Sequence, residues 1–399
     1  MTRKQLVVVM GAAAWLLATA TAGRPAAGVA VLAAQTARPA FAPLSAHGGL
    51  VYVSGILPAD PMAGDISGQA AAVLDELKAR LAGAGTSIDR VVSASVYLAS
   101  ADDFAALNTV WLRYFPAARP TRTTVVAQLP AAGARLQVSA IAAAPATSRD
   151  VLAPAGWASS GLPYSPAIRA GDTLFLSGMI SRRGSDNAPV KGDIETQTRT
   201  IFENAKAVLD TAGLTFADVV SARVFLANAA DFERMNAVYR TYFPADPPAR
   251  ATVMTALTAP DYLIEVTLTA VTGGPRAAHL TPNADGSPGR ANPVLSAAIG
   301  VGPRLFLSGM LGVVQGEANG AAPQTAEALS RLERTMAGAG CGWPQVLDSV
   351  VYVTDLSDAA TALEAFRARA GGRLPAGTLV GTGLMSPAAR VEIMLTAGK

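Results

Sequence analysis

Three short blocks of apolar residues, each closed by Ser-Gly, punctuate the chain: LVYVSG from Leu50, TLFLSG from Thr173 and RLFLSG from Arg304. The serines are separated by 123 and 131 residues. Between them the same order of patterns recurs. A variable Gly/Asp/Pro-rich loop leads to a stretch with apolar positions at helical spacing: Leu74, Leu77 and Leu81; then Ile201, Ala205, Val208 and Leu209; then Leu329, Leu332 and Met336. Each stretch stops at a glycine, Gly85, Gly213 or Gly340, as expected of a helix end. A β-branched run follows (VVSASVYLA, VVSARVFLA, VLDSVVYVT), then a second helical pattern such as DFAALNTVWLRYF or DFERMNAVYRTYF, then two more strands. Alternation such as Glu265-Val266-Thr267-Leu268 predicts strands with one face on an apolar core. The pattern predicts three β-β-α-β-α-β-β modules of α/β (α+β) class, each long enough to bury its own core, with helices covering one face of a mixed sheet. Expected limits are residues 36–146, 160–273 and 291–399. The Pro/Gly/Ser/Ala-rich stretches 144–162 and 272–292 show no periodicity and are expected to be linkers.

Ahead of the first module, Arg3 and Lys4 precede an uncharged apolar run from Gln5 to Ala22 that ends in Ala20-Thr21-Ala22. This is the pattern of a secretory signal peptide over residues 1–22, which implies a periplasmic or secreted protein; an uncleaved anchor is the alternative. Without the leader the net charge of +3 drops to +1, and no block of Lys/Arg remains to neutralise a phosphate backbone. Neither nucleic acid nor a membrane is therefore an expected partner, apart from the signal segment itself. Cys341 is the sole cysteine and His47 and His279 the only histidines, so neither a disulfide nor a His/Cys metal site is expected.

Four motifs in order, the Ser-Gly strand, the Asp-Phe-x-x-x-Asn helix, the Pro-x-Arg strand and the final Ile-Glu-Val strand, resemble the Rid family of reactive intermediate deaminases, also known as the YjgF or L-PSP family. The resemblance spans nearly the whole chain after the leader, three times. It implies chorismate-mutase-like (YjgF-like) modules forming an intramolecular pseudo-trimer, with clefts between modules. It implies hydrolysis of 2-imino or enamine acids to 2-oxo acids and ammonia, without cofactor or metal. In that family an arginine holds the substrate carboxylate and a glutamate fifteen residues later holds the water.

Mapped by residue, module 2 carries every element: Tyr164, Ser177, Gly178, Asn236, Arg250 and Glu265. Arg250 and Glu265 are the expected catalytic pair and the other four the expected substrate-binding set. Module 1 keeps Ser54, Gly55, Asn108 and Arg122, but Phe41 replaces the tyrosine and Gln137 the glutamate, so its site is expected to be impaired. Module 3 keeps Ser308, Gly309 and Glu392, but Gly377, Leu295 and Glu364 replace the arginine, tyrosine and asparagine. Which neighbour completes the module 2 cleft is open: module 1 would offer Phe41 and Asn108, module 3 Leu295 and Glu364. On this reading Arg250→Ala removes activity and Arg122→Ala costs much less. The chemistry agrees, since a guanidinium fork matches a planar carboxylate and a neighbouring carboxylate can take a proton from water.

Each of these residues also has a plainer reading. An arginine after proline is most often a surface ion-pair partner, the asparagines could be helix-face polar groups, and Trp111 and Trp343 are expected to pack. Loss of chemistry in two modules also leaves room for a non-catalytic protein that binds a small carboxylate or amine ligand. The mature chain is expected to be a monomer, because three linked modules cover internally what relatives cover by association. A solution mass equal to a trimer of chains would overturn this. N-terminal sequencing of exported protein checks the leader, with cleavage expected after Ala22.

Overall fold

The structure is a computed structural model that describes residues 41–158, 161–314 and 320–399. The expected leader, residues 1–22, lies outside the described residues, among which no helix is long and apolar enough to cross a membrane. Module 1 runs β1 (Leu44–His47), β2 (Leu50–Ile56), α1 (Ile66–Gly83), β3 (Val91–Leu98), α2 (Phe104–Tyr114), β4 (Thr121–Val126) and β5 (Leu136–Ala143). After β6 (Arg149–Leu152), module 2 repeats the order with β7 (Ala167–Ala170), β8 (Thr173–Leu176), α3 (Ile194–Thr211), β9 (Val219–Leu226), α4 (Phe232–Tyr242), β10 (Ala249–Met254) and β11 (Ile264–Val271). After β12 (Arg276–His279), module 3 has β13 (Ala298–Val301), β14 (Arg304–Leu311), α5 (Ala321–Gly338), β15 (Val346–Val353), α6 (Ala359–Arg369), β16 (Ala376–Gly381), β17 (Gly383–Leu384) and β18 (Val391–Gly398).

Each sheet has the same order; in module 1 it is β1-β2-β5-β3-β4, antiparallel except for the parallel β3–β4 pair at one edge. That parallel pair is forced by α2, a helical crossover from β3 to β4. The first helix of modules 1 and 2 starts under an aspartate cap, Asp65 accepting from Gly68 N at 2.9 Å and Asp193 from Thr196 N at 3.0 Å. Gly213, at φ +67°, ends α3 in the left-handed region that favours glycine.

The period of two along the strands sorts the apolar residues into two kinds of core. Val51 and Val53 pack under α1 with Leu74, Leu77 and Leu81. Leu50 and Tyr52, one residue out of phase, face the other modules and meet Phe175 and Leu347. Tyr97, Phe225 and Tyr352, equivalent positions of the three modules, share one apolar cluster with Val125, Val253 and Val380. The helices thus stand outside, and the three sheets turn their second faces to a common axis. The intramolecular pseudo-trimer is this arrangement.

The linkers are not plain coil. β6 pairs antiparallel with β7, and β12 with β13, so each linker adds an edge strand to the module that follows. Four residues such as Arg-Asp-Val-Leu are too few for periodicity to register. Arg149 on β6 reaches back across the border, its Nη2 donating to Val91 O at 2.9 Å and Ala118 O at 2.5 Å. Arg276 makes the same kind of tie from β12, to Asp246 O at 2.5 Å. β17 crosses a border the other way, pairing with β10 of module 2.

The axis encloses a cavity of about 100 Å³ lined by Ser95, Arg223, Asp348 and Tyr52 among others. Arg223 Nη2 donates to Ser95 Oγ at 2.9 Å. Burial pushes the Asp348 carboxyl up to about 7, against the opposing pull of Arg223 and the Ser349 amide. A carboxyl whose pKa is raised by folding contributes stability that is present in full below its unfolded value near 4 and is lost as pH rises through about 7. Asp348→Asn should therefore flatten this part of the stability profile. Relative to the parent, it is expected to gain on the order of 2–4 kcal/mol on going from pH 4 to pH 8. Denaturant melts at the two pH values check this; equal offsets at both would refute it.

Candidate functional site

At each module border the parallel edge strand of one module lies against the Ser-Gly segment of the next. β2 and β14 shift register against their partners within the stretches Val53–Ile56 and Leu307–Met310, which contain the Ser-Gly pairs. In β-sheet terms the pair is a bulge, which releases its backbone from the ladder and turns it toward the neighbouring module. Between modules 1 and 2, Arg122 N donates to Ser177 Oγ at 3.0 Å and Gly178 N donates to Arg122 O at 3.0 Å. Thr123 and Thr267 share a hydroxyl hydrogen bond of 2.6 Å across the same border.

This geometry places Arg122 of β4 opposite Glu265 of β11. Thr124 N donates to Glu265 Oε1 at 3.2 Å, so a backbone amide of module 1 directly holds the carboxyl of module 2. Gly178 has a steric reason: a Cβ there would come within 2.0 Å of Glu265 Oε1 and 3.0 Å of Thr123 Cα. Burial drives the Glu265 carboxyl up to about 8, while the Thr124 amide, Arg122 and Arg223 act to lower it. Arg122 is 3 % exposed and burial brings its guanidinium down to about 10, still protonated at neutral pH. Its Nη2 donates to Asn108 Oδ1 at 2.6 Å, and its guanidinium carbon lies 5.1 Å from the Trp111 ring centroid and 5.5 Å from that of Phe104. Its Nε and Nη1 are buried without a hydrogen-bond partner. Arg122, Asn108, Glu265, Gly178 and Tyr164 line one cleft of about 380 Å³, within the usual range of small-molecule sites. Burial raises the Tyr164 hydroxyl, with Arg122 and Arg182 pulling the other way.

The second border repeats the plan with different residues. Arg250 N donates to Ser308 Oγ at 2.8 Å, and the guanidinium carbon sits 4.5 Å from the Tyr239 ring centroid. Its carboxylate neighbour is Glu392, which burial pushes up to about 8 against the pull of Arg250 and the Thr252 amide. Asn236 Oδ1 is buried there without a partner, and Leu295 stands where Tyr164 stands in the first cleft. At the third border Gly377 N donates to Ser54 Oγ at 2.8 Å. A side chain at Gly377 would meet the Phe41 ring at 2.8 Å, so an aromatic ring fills the place of the arginine. Gln137, in place of a glutamate, packs over Gly55.

The residues expected to form one site in module 2 are therefore divided. Tyr164, Ser177, Gly178 and Glu265 face Arg122 and Asn108 of module 1, whereas Arg250 and Asn236 face Ser308 and Glu392 of module 3. Arg250 and Glu265 are not a pair. The module 1 residues do not form one site either: Ser54 belongs to the third border, and Arg122 and Asn108 face Glu265 across the first. The physical reason is that β4 and β10 are the outermost strands of their own modules, so their outer side meets the next module (β17 even pairs with the end of β10) rather than their own final strand, from which β3 or β9 separates them. Sequence reasoning also passed over the platform under Arg122. Trp111 packs as expected, with 0 % exposure, but its ring face carries the arginine. The signal available was an aromatic three residues beyond Asn108 on the same helix face.

A family model described as Endoribonuclease L-PSP matches the chain three times, at residues 32–144, 158–272 and 288–399. Among curated relatives, a RutC family protein of Pyrococcus horikoshii is 44 % identical over 104 residues, 26 % of this chain and 82 % of that protein. One of Saccharolobus solfataricus is 44 % identical over 108 residues, 27 % of this chain and 86 % of that protein. Among solved structures, a Rid family protein of Yersinia pestis, YyfA, is 32 % identical with a TM-score of 0.30, covering 31 % of this chain and 100 % of its own. A chorismatase structure, 16 % identical with a TM-score of 0.51, covers 78 % of this chain and 93 % of its own, a likeness of fold. With three successive matches along one polypeptide, the chain belongs to the Endoribonuclease L-PSP family, that of the Rid and YjgF proteins, and carries its module in three tandem copies.

Proposed function

We propose that the cleft between modules 1 and 2 hydrolyses 2-imino acids, the imine forms of enamine acids, to 2-oxo acids and ammonia. One observation carries this reading: the buried Arg122 guanidinium and the buried Glu265 carboxyl line one cavity without an ion pair between them. A guanidinium offers donors in a planar fork that matches the oxygens of a carboxylate. Seating the substrate carboxylate there sets the adjacent C=N carbon beside Glu265. Water adds its oxygen to that carbon of the protonated imine while ionised Glu265 takes one water proton, giving a neutral carbinolamine. Glu265 returns this proton to nitrogen, then takes the hydroxyl proton as the C–N bond breaks, the C=O bond forms and ammonia leaves. Asn108 and the aromatic platform fix the orientation of Arg122, which is positioning rather than bond chemistry.

Arg122→Ala should lower kcat/KM about a hundredfold or more, since a buried charge-assisted pair is worth roughly 1.5–3 kcal/mol before positioning is counted. Arg250→Ala should cost less, because its cleft has Leu295 in place of the tyrosine. Steady-state kinetics on imines generated in situ test both, and the reverse ranking would move the site to the second border.

A second reading, ligand binding without turnover, is favoured by one fact: with its pKa near 8, Glu265 is mostly protonated at neutral pH and acts as a donor rather than a base. The two readings part in the pH profile. As a base Glu265 must be ionised, so kcat/KM should rise with pH and level off above about 8. Glu265→Gln should remove that limb and depress turnover while sparing affinity for the 2-oxo acid. Binding of the 2-oxo acid with no turnover at any pH between 6 and 9 would leave the binding reading alone.

A further inference from the structure

The first cleft holds a second guanidinium. Arg182 lies in the loop after the Ser-Gly bulge of module 2 and lines the same cavity as Arg122, with Tyr164 acted on by both. The loop is held rigidly: Arg183 N donates to Ala188 O, Val190 N to Ser181 O, and Asn204 Nδ2 to Arg182 O at 2.6 Å. The guanidinium is aimed by two contacts. Nη1 donates to Asn187 O at 2.8 Å, and the guanidinium carbon is 5.3 Å from the Tyr262 ring centroid. Among the described residues no carboxylate lies within ion-pair distance of it. Its neighbours are paired elsewhere: Asp261 with Lys191 at 2.9 Å and Asp186 with Arg183 at 2.9 Å. A partly buried, pre-oriented cation without a counter-ion, facing a cavity, is arranged for an anion. The feature is particular to this cleft, since Ala59 and Val313 occupy the equivalent positions, five residues after Ser54 and Ser308.

Resting on the proposed use of Arg122, we propose that this cleft selects 2-imino dicarboxylic acids, with the 2-carboxylate on Arg122 and the distal carboxylate on Arg182. The guanidinium fork, the Tyr262 and Tyr164 hydroxyls and Asn187 together offer donors around a second planar carboxylate. A three-carbon imino acid would fill only the Arg122 end.

The test compares two five-carbon product analogues on the full chain by calorimetric titration: 2-oxoglutarate, with a distal carboxylate, and 2-oxopentanoate, without one. 2-Oxoglutarate should bind about tenfold more tightly, the margin expected of one partly solvated charge-assisted pair, and the gap should narrow as salt is raised. Arg182→Leu should close the gap without weakening 2-oxopentanoate, and Arg182→Lys should keep part of it. Equal affinities in the parent chain, no binding of either acid, or a gap that survives Arg182→Leu would overturn the proposal. Turnover is measured in parallel on imines generated by an amino-acid oxidase from glutamate and norvaline. Turnover of the norvaline imine with no diacid preference sinks this inference and spares the deaminase reading. A binding preference with no turnover does the opposite.

Discussion

At every module border one serine hydroxyl is shared between two modules. Ser177 Oγ accepts from Arg122 N and donates to Ser165 O; Ser308 Oγ accepts from Arg250 N and donates to Ser296 O; Ser54 Oγ accepts from Gly377 N and donates to Ala42 O. The edge strand of a parallel pair would otherwise leave its amides unpaired, a cost that a buried seam does not tolerate. Fulfilling both donor and acceptor capacity of the hydroxyl fixes the height of one sheet against the next. The glutamate, the arginine and the cavity between them inherit their positions from that contact.

Because the same seam closes three times with different side chains, structural and chemical demands separate. The third border keeps the serine contact while Gly377 and Gln137 replace the arginine and the glutamate and the Phe41 ring lies beside Gly377. The third border is therefore assembled without the arginine–glutamate arrangement, alongside backbone bonds such as Gln128 N to Gly381 O. Burying Arg122 and Glu265 is in fact unfavourable electrostatically, as the raised carboxyl pKa and the lowered guanidinium pKa both state. Ring faces, Asn108 and the Thr124 amide offset part of that cost. Groups held against their preference for water, beside a cavity, are the mark of a site rather than of a stabilising ion pair.

The axis shows the same freedom. Equivalent positions hold Ser95, Arg223 and Val350, and another set holds Ser93, Ser221 and Asp348, so one cation and one acid meet in a cavity that a symmetric assembly would line with three like charges. Joining the modules in one chain removes that repulsion and lets the axis be charged without being symmetric.

The repeat, the element order and the helix faces follow from the sequence because they are local: Leu74, Leu77 and Leu81 announce one helix face by spacing alone, and all are buried. The residue types of the site were legible too, since arginine, glutamate and asparagine stand at fixed offsets from Ser-Gly. Their grouping was not. Fifteen residues separate Arg250 from Glu265 along the chain, yet β9 lies between β10 and β11, and the outer edge of β10 faces the next module. Offsets within a repeat are the same whether a cleft is built inside a module or across a border, so the pattern carries no information on the choice. The linker strands escaped for a related reason, because Arg149–Leu152 becomes a strand only when the edge of β7 is there to receive it. Composition, period and repeat determined what each module is; the hydrogen-bonding edge that each strand leaves open decided which side chains meet.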